Sequence, residues 1–581
     1  MIQFPRKDSP ILKQTNKGNL FGDLWASFNL NLTKTLGRIR TGRMLLNNSS
    51  AFNTDLGCPV AFKYFNSLWW TVAGLKLHST SATQTGFTVN TTDAGSFNDT
   101  CNSDVSDLEL FNGFLFITTA TDIYSFSGTV FSQKSAGGLT TNTAHMMCVY
   151  ADRLYITNLF SKIYSMDTAY TLATSGSYTL SFTDSNANVL TFLRPASNKI
   201  WVGVLNTLGG KGYVYEWDGT STQVTRSYRL ESQGALAGVI KDDIPYIVDS
   251  NGRLLAYNGS SFKEVARFPV DTLLLKSATN ATVNTRFIHP NGMAIVDGRI
   301  NILINNLNGD NGATINENFP SGVWEYDENI GLYHKYSVTY VPKDGATADI
   351  TDYGQNRVSR VGALADAKIT NSGATANGQL LVGLNYYTNA SSTLSGVFID
   401  DTNDTVQKYG YFVTQWIAAA SLRDTWQKLF LQYRKFLDSA DKIICKYRTT
   451  EVASVEATIT WVNTTSFTTT TNVLGKEGQE VEVIQGTGSG KTAHITTIAN
   501  NAGTCTVTLD DTFTGVTTGT AKARFQAWIK LGEITGQTTE SWQMPIGVTS
   551  ERIQLKVCMQ FTGADELHTV SLINKPHELL V

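Results

Sequence analysis

One short phrase, repeated along residues 65–382, limits what this chain can fold into more than any other feature. Each copy is a pair of turn-forming residues followed by a strand of apolar and aromatic residues. The copies begin Asn66-Ser67-Leu68-Trp69-Trp70, Asn112-Gly113-Phe114-Leu115-Phe116, Asp152-Arg153-Leu154-Tyr155-Ile156 and Asn198-Lys199-Ile200-Trp201-Val202. They continue with Asp242-Asp243-Ile244-Pro245-Tyr246, Asp297-Gly298-Arg299-Ile300-Asn301-Ile302 and Asn377-Gly378-Gln379-Leu380-Leu381-Val382. The interval is about 40–46 residues at first and then grows to about 55 and 80. A period of this length with several strands per unit is the signature of a β-propeller.

A second phrase follows each of the first. It is a strand that ends in an aromatic residue and a tight turn, as in Ile123-Tyr124-Ser125-Phe126-Ser127-Gly128, Val214-Tyr215-Glu216-Trp217-Asp218-Gly219 and Leu254-Leu255-Ala256-Tyr257-Asn258-Gly259. Ser-Gly, Asp-Gly and Asn-Gly accept positive φ, which a two-residue hairpin requires. Seven phrases predict seven blades over residues 59–415, or six if Leu68-Trp69-Trp70 belongs to a closing strand. A β-sandwich with accidental similarity is the competing fold.

Residues 1–58 do not carry the pattern. Eight basic and two acidic residues fall within 1–43, and short apolar groups lie among polar ones. Such a segment has no core of its own and needs another surface. It reads as an extended basic arm that packs either on its own propeller or, the favoured reading, across a neighbouring subunit, with Phe21, Trp25, Arg38, Arg40 and Arg43 as its contact residues. Beyond residue 415 the blade pattern stops. Residues 416–464 and 525–581 read as a C-terminal β-sandwich, and its clearest strand runs from Arg552 to Phe561. There Ile553, Leu555, Val557, Met559 and Phe561 alternate with Arg552, Gln554, Lys556, Cys558 and Gln560, the period of a half-buried strand. Residues 465–524 are Thr/Gly-rich and read as a small barrel inserted into that sandwich. The fold class is therefore all-β.

Charged residues are 16% of the chain and net charge is −3, so no global field steers it to nucleic acid or to an anionic membrane. The N-terminal residues lack the apolar core of an export signal, and no apolar run is long enough to span a bilayer. The six cysteines include no Cys-x-x-Cys and read as reduced thiols. Gln485-Gly486-Thr487-Gly488-Ser489-Gly490-Lys491-Thr492 resembles a phosphate-binding loop, but Gln485 stands at its first glycine. The residues that follow alternate as a strand where a helix is required, so a β-turn is the reading. The seven histidines form no zinc pattern. Asp242-Asp243 and Asp510-Asp511 are turn residues. Asn308-Gly309-Asp310-Asn311-Gly312 and Asp400-Asp401-Thr402-Asn403-Asp404 lack the EF-hand spacing. Catalytic residues, cofactor and metal are all expected to be none.

A basic arm, a propeller and a sandwich bearing a Gly-rich barrel together resemble tail proteins of double-stranded DNA bacteriophages. The nearest likeness is the tail nozzle proteins of short-tailed phages. Two local features carry the likeness: the barrel segment Gly475 to Ile498, with its Gly-x-Gly-Ser-Gly turn, and the strand Leu429 to Arg434. The resemblance implies a non-catalytic virion protein, made in the host cytoplasm and built into the tail as a ring around the DNA exit channel. Its partners would be copies of itself, other tail or portal-adaptor proteins and, as a further candidate, a host surface receptor, with DNA only as passing cargo. The rival functions are a receptor-binding or glycan-degrading tail protein and a cellular propeller scaffold.

Overall fold

The computed structural model of the chain describes residues 2–3, 24–28, 30–32, 38–41, 45–47, 58–81, 86–89, 105–135, 138–140, 144–158, 162–181, 188–268, 274–275, 286–306, 322–337, 357–370, 377–389, 392–400, 408–418, 425–434, 436, 439–449, 455–470, 477–488, 492–501, 503–513, 515–516, 518–535, 540–561 and 565–575. Every regular element among them is a β-strand. The chain is all-β, built largely from four-stranded antiparallel sheets that resemble propeller blades, together with a closed six-stranded barrel.

Seven sheets, I to VII, come from 61–89, 105–135, 147–181, 188–229, 235–267, 274–337 and 357–400. The repeated phrase marks the hairpin between the first and second strands of each early sheet. Asn66 and Ser67, Ala151 and Asp152, and Asp242 and Asp243 all have φ between 46° and 64°. Both residues of a two-residue hairpin loop must adopt this sign for its twist to match the strands. In the third copy the turn falls one residue before the expected pair, because Arg153 already belongs to the strand Arg153–Asn158. The last copy differs more. Asn377 and Gly378 lie inside the strand Asn377–Asn389, paired with Thr370 and Ile369. Between the sixth and seventh copies, where the interval grows to about 80 residues, lies the strand Arg357–Thr370. Residues 307–321 lie outside the described residues, as do Asp401 to Asp404.

Successive sheets pack face to face, and each interface has its own apolar cluster. Leu115 and Tyr124 of sheet II meet Trp70 and Val72 of sheet I. Phe116 and Ile123 meet Met147 and Ile156, Tyr155 meets Trp217, and Trp201 meets Ile247. Leu254 meets Ile302 and Leu303 meets Val382. The circuit returns where Leu381 and Val397 of sheet VII meet Phe62 and Phe87 of sheet I. Alternate residues of a strand face opposite sides, so each sheet buries both faces. Buried side chains of this size contribute roughly 1.5–3 kcal/mol each.

The described strands of the N-terminal segment pair with strands of their own chain. Leu45–Asn47 is the outer strand of sheet VII, against Ser392–Asp400. Leu24–Phe28 pairs with Lys408–Thr414, and Ile2–Gln3 pairs with Leu567–Lys575. Leu30, Leu32 and Ile39 sit in one cluster with sheets V and VI and with the C-terminal strands. The segment therefore joins the seven sheets to the C-terminal region.

Two sheets make up that region. One has the order Ile2–Gln3, Leu567–Lys575, Thr425–Tyr433, Ser541–Thr549. The other runs Leu24–Phe28, Lys408–Thr414, Arg552–Phe561, Lys442–Arg448, Gly519–Thr535. Leu429, Leu431 and Val570 of the first share a core with Ile553, Leu555, Val557, Met559 and Phe561 of the second. The opposite face of Arg552–Phe561, expected to be half-buried, is also buried: Gln554, Lys556, Cys558 and Gln560 are at most 5% exposed. Gly519–Thr535 runs on into the barrel. There it pairs with both Val455–Asn463 and Gln479–Gly486, which closes the circuit of Ser466–Thr469, Thr504–Leu509 and Thr492–Asn501. Within the Gly-rich turn, Gly486 and Gly488 both have φ +86°, and residues 489–491 lie outside the described residues.

Candidate functional site

The first strands of the seven sheets are Ala61–Phe65, Val105–Phe111, Met147–Tyr150, Asn188–Ala196, Ala235–Lys241, Arg286–Val296 and Arg357–Thr370. Each adjoins the next, and the last adjoins the first. All of them except Ala235–Lys241 contribute to the lining of a cavity of about 330 Å³, which includes Lys63, Asp107, Glu109, Cys148, Arg194 and Asn291. A concave pocket with convergent polar groups is the default place to look for a ligand site.

Its polar groups are spent on one another. Arg194 donates from Nε to the Gly238 carbonyl at 2.6 Å and from Nη1 to the Leu193 carbonyl at 2.9 Å. Its Nη2 donates to the Pro290 carbonyl at 2.7 Å and to Asn291 Oδ1 at 2.9 Å. Asn291 Nδ2 then donates to Asp107 Oδ1 at 2.8 Å and to the Val60 carbonyl at 3.0 Å. Asp107 also accepts the Leu108 and Met147 backbone N–H groups at 2.9 and 2.7 Å. One amide thus relays a cation to an anion across the hub, and three side chains tie sheets I to VI together. Lys63 and Glu109 pair at 2.6 Å on the same lining.

Burial raises the Asp107 carboxyl to about 6, against the pull of the Met147 N–H and of Lys63. Burial lowers Arg194 below the usual guanidinium range, offset in part by Asp107. Burial also pushes the Cys148 thiol upward, which keeps it a thiol rather than a nucleophilic thiolate.

A second polar cluster lies where the barrel meets the C-terminal sheet. Lys446 and Lys556 are directly opposed across adjacent strands, a repulsive arrangement if left uncompensated. Glu480 of the barrel pairs with Lys446 and lies 4.0 Å from Lys556. His494 hydrogen-bonds Asp510 at 3.1 Å. Burial pushes Asp510 up, but His494 and Lys530 more than offset this and hold it well below the carboxylate range.

Of the five residues expected on the arm, Arg38 and Arg40 both engage Glu566 of their own chain. Arg38 does so at 2.5 Å, and Arg40 from Nε at 2.6 Å and again from Nη2. Trp25 lies in the strand Leu24–Phe28, while Phe21 and Arg43 fall outside the described residues. The sequence reading did not single out Asp107, Arg194 or Asn291. The one available signal was Arg194, the lone charge in the otherwise largely apolar strand Asn188–Ala196.

Among the described residues no group of His, Cys, Asp and Glu side chains is placed to hold a metal ion. Nor is any helix among them long and apolar enough to cross a membrane. The five described cysteines are buried, and no disulfide joins them.

No family model and no curated protein matches the sequence. Among solved structures, the chain is similar to the computationally designed Ika8 protein at 11% identity and a TM-score of 0.34, covering 61% of this chain and 99% of that one. It is similar to Saccharomyces cerevisiae Sqt1 at 10% identity and TM-score 0.35, covering 61% and 100%. The extracellular domain of a B. thetaiotaomicron hybrid two component system matches at 11% identity and TM-score 0.37, covering 79% of this chain and 47% of its own length. Likenesses at this level assign no role.

Proposed function

We propose that the protein is a non-catalytic structural subunit: a closed seven-bladed propeller carried on a C-terminal β-sandwich with an inserted barrel. In its specific form the reading is a nozzle or ring subunit of a short-tailed phage tail, assembled with copies of itself around the DNA exit channel. Its place would be the virion, after synthesis in the host cytoplasm. Other tail or portal-adaptor proteins, and a host surface receptor, are the partners this role calls for. One observation carries the reading. The hub of the seven sheets, where a propeller has room for a ligand, uses Arg194, Asn291 and Asp107 to hold the sheets together. Groups locked in this way act as a brace, because turning to a substrate leaves a buried charge or amide unpaired. The working surfaces are then external, as a construction role requires. Negative-stain electron microscopy of the purified full chain tests the proposal. Closed rings with discs projecting outward are expected, and a uniformly monomeric particle overturns it.

A further inference from the structure

The four-stranded C-terminal sheet has two open edges among the described residues. Ser541–Thr549 pairs only with Thr425–Tyr433, and Ile2–Gln3 pairs only with Leu567–Lys575. The outward side of an edge strand is a template for a strand of another chain, and proteins blunt such edges with charge, proline or a covering segment. The outer strands of sheets II, IV and V follow this rule. Phe131–Ser135 carries Lys134, Arg226–Arg229 carries two arginines, and Phe262–Arg267 carries Lys263, Glu264 and Arg267. Leu24–Phe28, the edge of the larger C-terminal sheet, adjoins the outer strand Gly331–Ser337 of sheet VI. Ser541–Thr549 has nine residues and no charge. Pro545 interrupts it once and leaves a pairing stretch on either side.

The side chains on this edge point the same way. Trp542 lies directly opposite Leu431, so it shares the core face of the sheet. Leu431 is fully buried there, yet Trp542 is 39% exposed. The indole is an apolar shoulder at the rim of the core, left for something beside it to cover.

We infer that these two edges are the seam between copies: Ser541–Thr549 of one chain pairs antiparallel with the N-terminal strand at Ile2–Gln3 of the next. The inference rests on the ring reading above and adds the surface that builds the ring. Strand alternation supports it. The four strands alternate in direction through successive antiparallel pairs. A repeat of four alternating strands continues antiparallel across each junction, the more stable pairing. A head-to-tail contact of this kind builds a ring when the rotation between copies closes. The two-fold alternative, in which Ser541–Thr549 pairs with its own copy, leaves the Ile2–Gln3 edge open on both outer flanks.

Two measurements on the full-length chain test the seam. In the first, Trp542→Lys and Gln543→Lys are combined and particle mass is read by mass photometry, with circular dichroism to confirm folding. Loss of rings with an unchanged spectrum is expected. Rings that survive overturn the seam and leave the ring reading standing, whereas a monomeric unmodified chain overturns both. In the second, a Gln3→Cys chain is mixed with a Gln543→Cys or a Gly547→Cys chain and oxidised. A disulfide-linked dimer on a non-reducing gel is expected from at least one mixture and from neither variant alone. Its absence from both mixtures, or a dimer from Gln543→Cys alone, overturns the seam even where the lysine variant fails to fold.

Discussion

Replacing Asn291 by leucine (Asn291→Leu) keeps the volume of the side chain and removes the relay across the hub. Three hydrogen bonds go with it: to Arg194, to Asp107 and to the Val60 carbonyl. Two of them involve charged groups, worth about 1.5–3 kcal/mol each, and the third is worth about 1 kcal/mol. Summing the low ends gives about 4 kcal/mol, before the cost of leaving Arg194 and Asp107 without their shared amide. Hydrogen exchange with mass-spectrometric readout is the appropriate assay, because a chain of 581 residues does not unfold in one step. Where reclosing outpaces exchange, protection follows the free energy of opening. A loss of about 4 kcal/mol lowers protection roughly a thousandfold at 1.36 kcal/mol per decade. The loss is expected in peptides covering the first strands of sheets II, III and VI, where the Leu108 and Met147 N–H groups bind Asp107. Peptides of the barrel serve as the internal control. If protection in the first strands falls by less than about tenfold, the hub is not braced through this amide and the argument for it fails.

Asp107 makes the same hub pH-dependent. Its folded value is raised from 3.8 to about 6, so its contribution to stability is full below the unfolded value and is lost as pH rises through about 6. Between pH 5 and 7 the loss is about 1.3 kcal/mol. An Asp107→Asn chain should lack that component, which shows as a difference in pH slope of hub protection between the two proteins. Glu480→Gln removes the carboxylate that lies between the buried, opposed Lys446 and Lys556, at a cost of about 3–5 kcal/mol. Limited proteolysis should then release a fragment cut between the barrel and the sheet, while an intact digestion pattern counts against the pairing. Arg40→Ala strips the buried Glu566 of its main partner and should cost about 2 kcal/mol. Arg40→Lys should not restore it, since an ammonium cannot supply the same planar set of donors. Thermal melts of the two variants that straddle the unmodified chain would contradict this.

The parts of the fold that were legible in the sequence are those set by neighbours in the chain. Asp242-Asp243 and Asn66-Ser67 announce hairpins because two adjacent residues alone decide whether positive φ is tolerated. The strand Arg552–Phe561 was visible because its period of two is local, although the burial of its second face was not. What hides Lys556 and Gln560 is the barrel and the neighbouring strands, which periodicity cannot report. The hub was illegible for the same reason. Asn291 meets Arg194 across 97 positions and Asp107 across 184, and none of the three stands in a recognisable spacing. The N-terminal segment was legible as basic and in need of a surface. That Arg40 finds its carboxylate 526 positions away on Glu566 is a fact of chain closure, and a contact with a neighbouring subunit fits the composition equally well.

Chain closure also orders how the molecule comes together. Leu45–Asn47 completes sheet VII, Leu24–Phe28 caps the larger C-terminal sheet and Ile2–Gln3 caps the smaller one. All three come from residues 2–47, and all three dock on strands beyond residue 390. Pairings across about 350 residues or more are slow to form, because the loop must close before the contact rewards it. Until then those sheet edges stay open to other chains. The N-terminal segment is therefore the guard of the edges as well as the mortar between sheets, and it is in place only after the rest has folded. On this reasoning an edge that the described strands of the segment leave without a neighbouring strand stays open to a second chain. Among the described residues of the two C-terminal sheets, the long uncharged edge in that position is Ser541–Thr549, which ties the seam between copies to the same event that finishes the monomer.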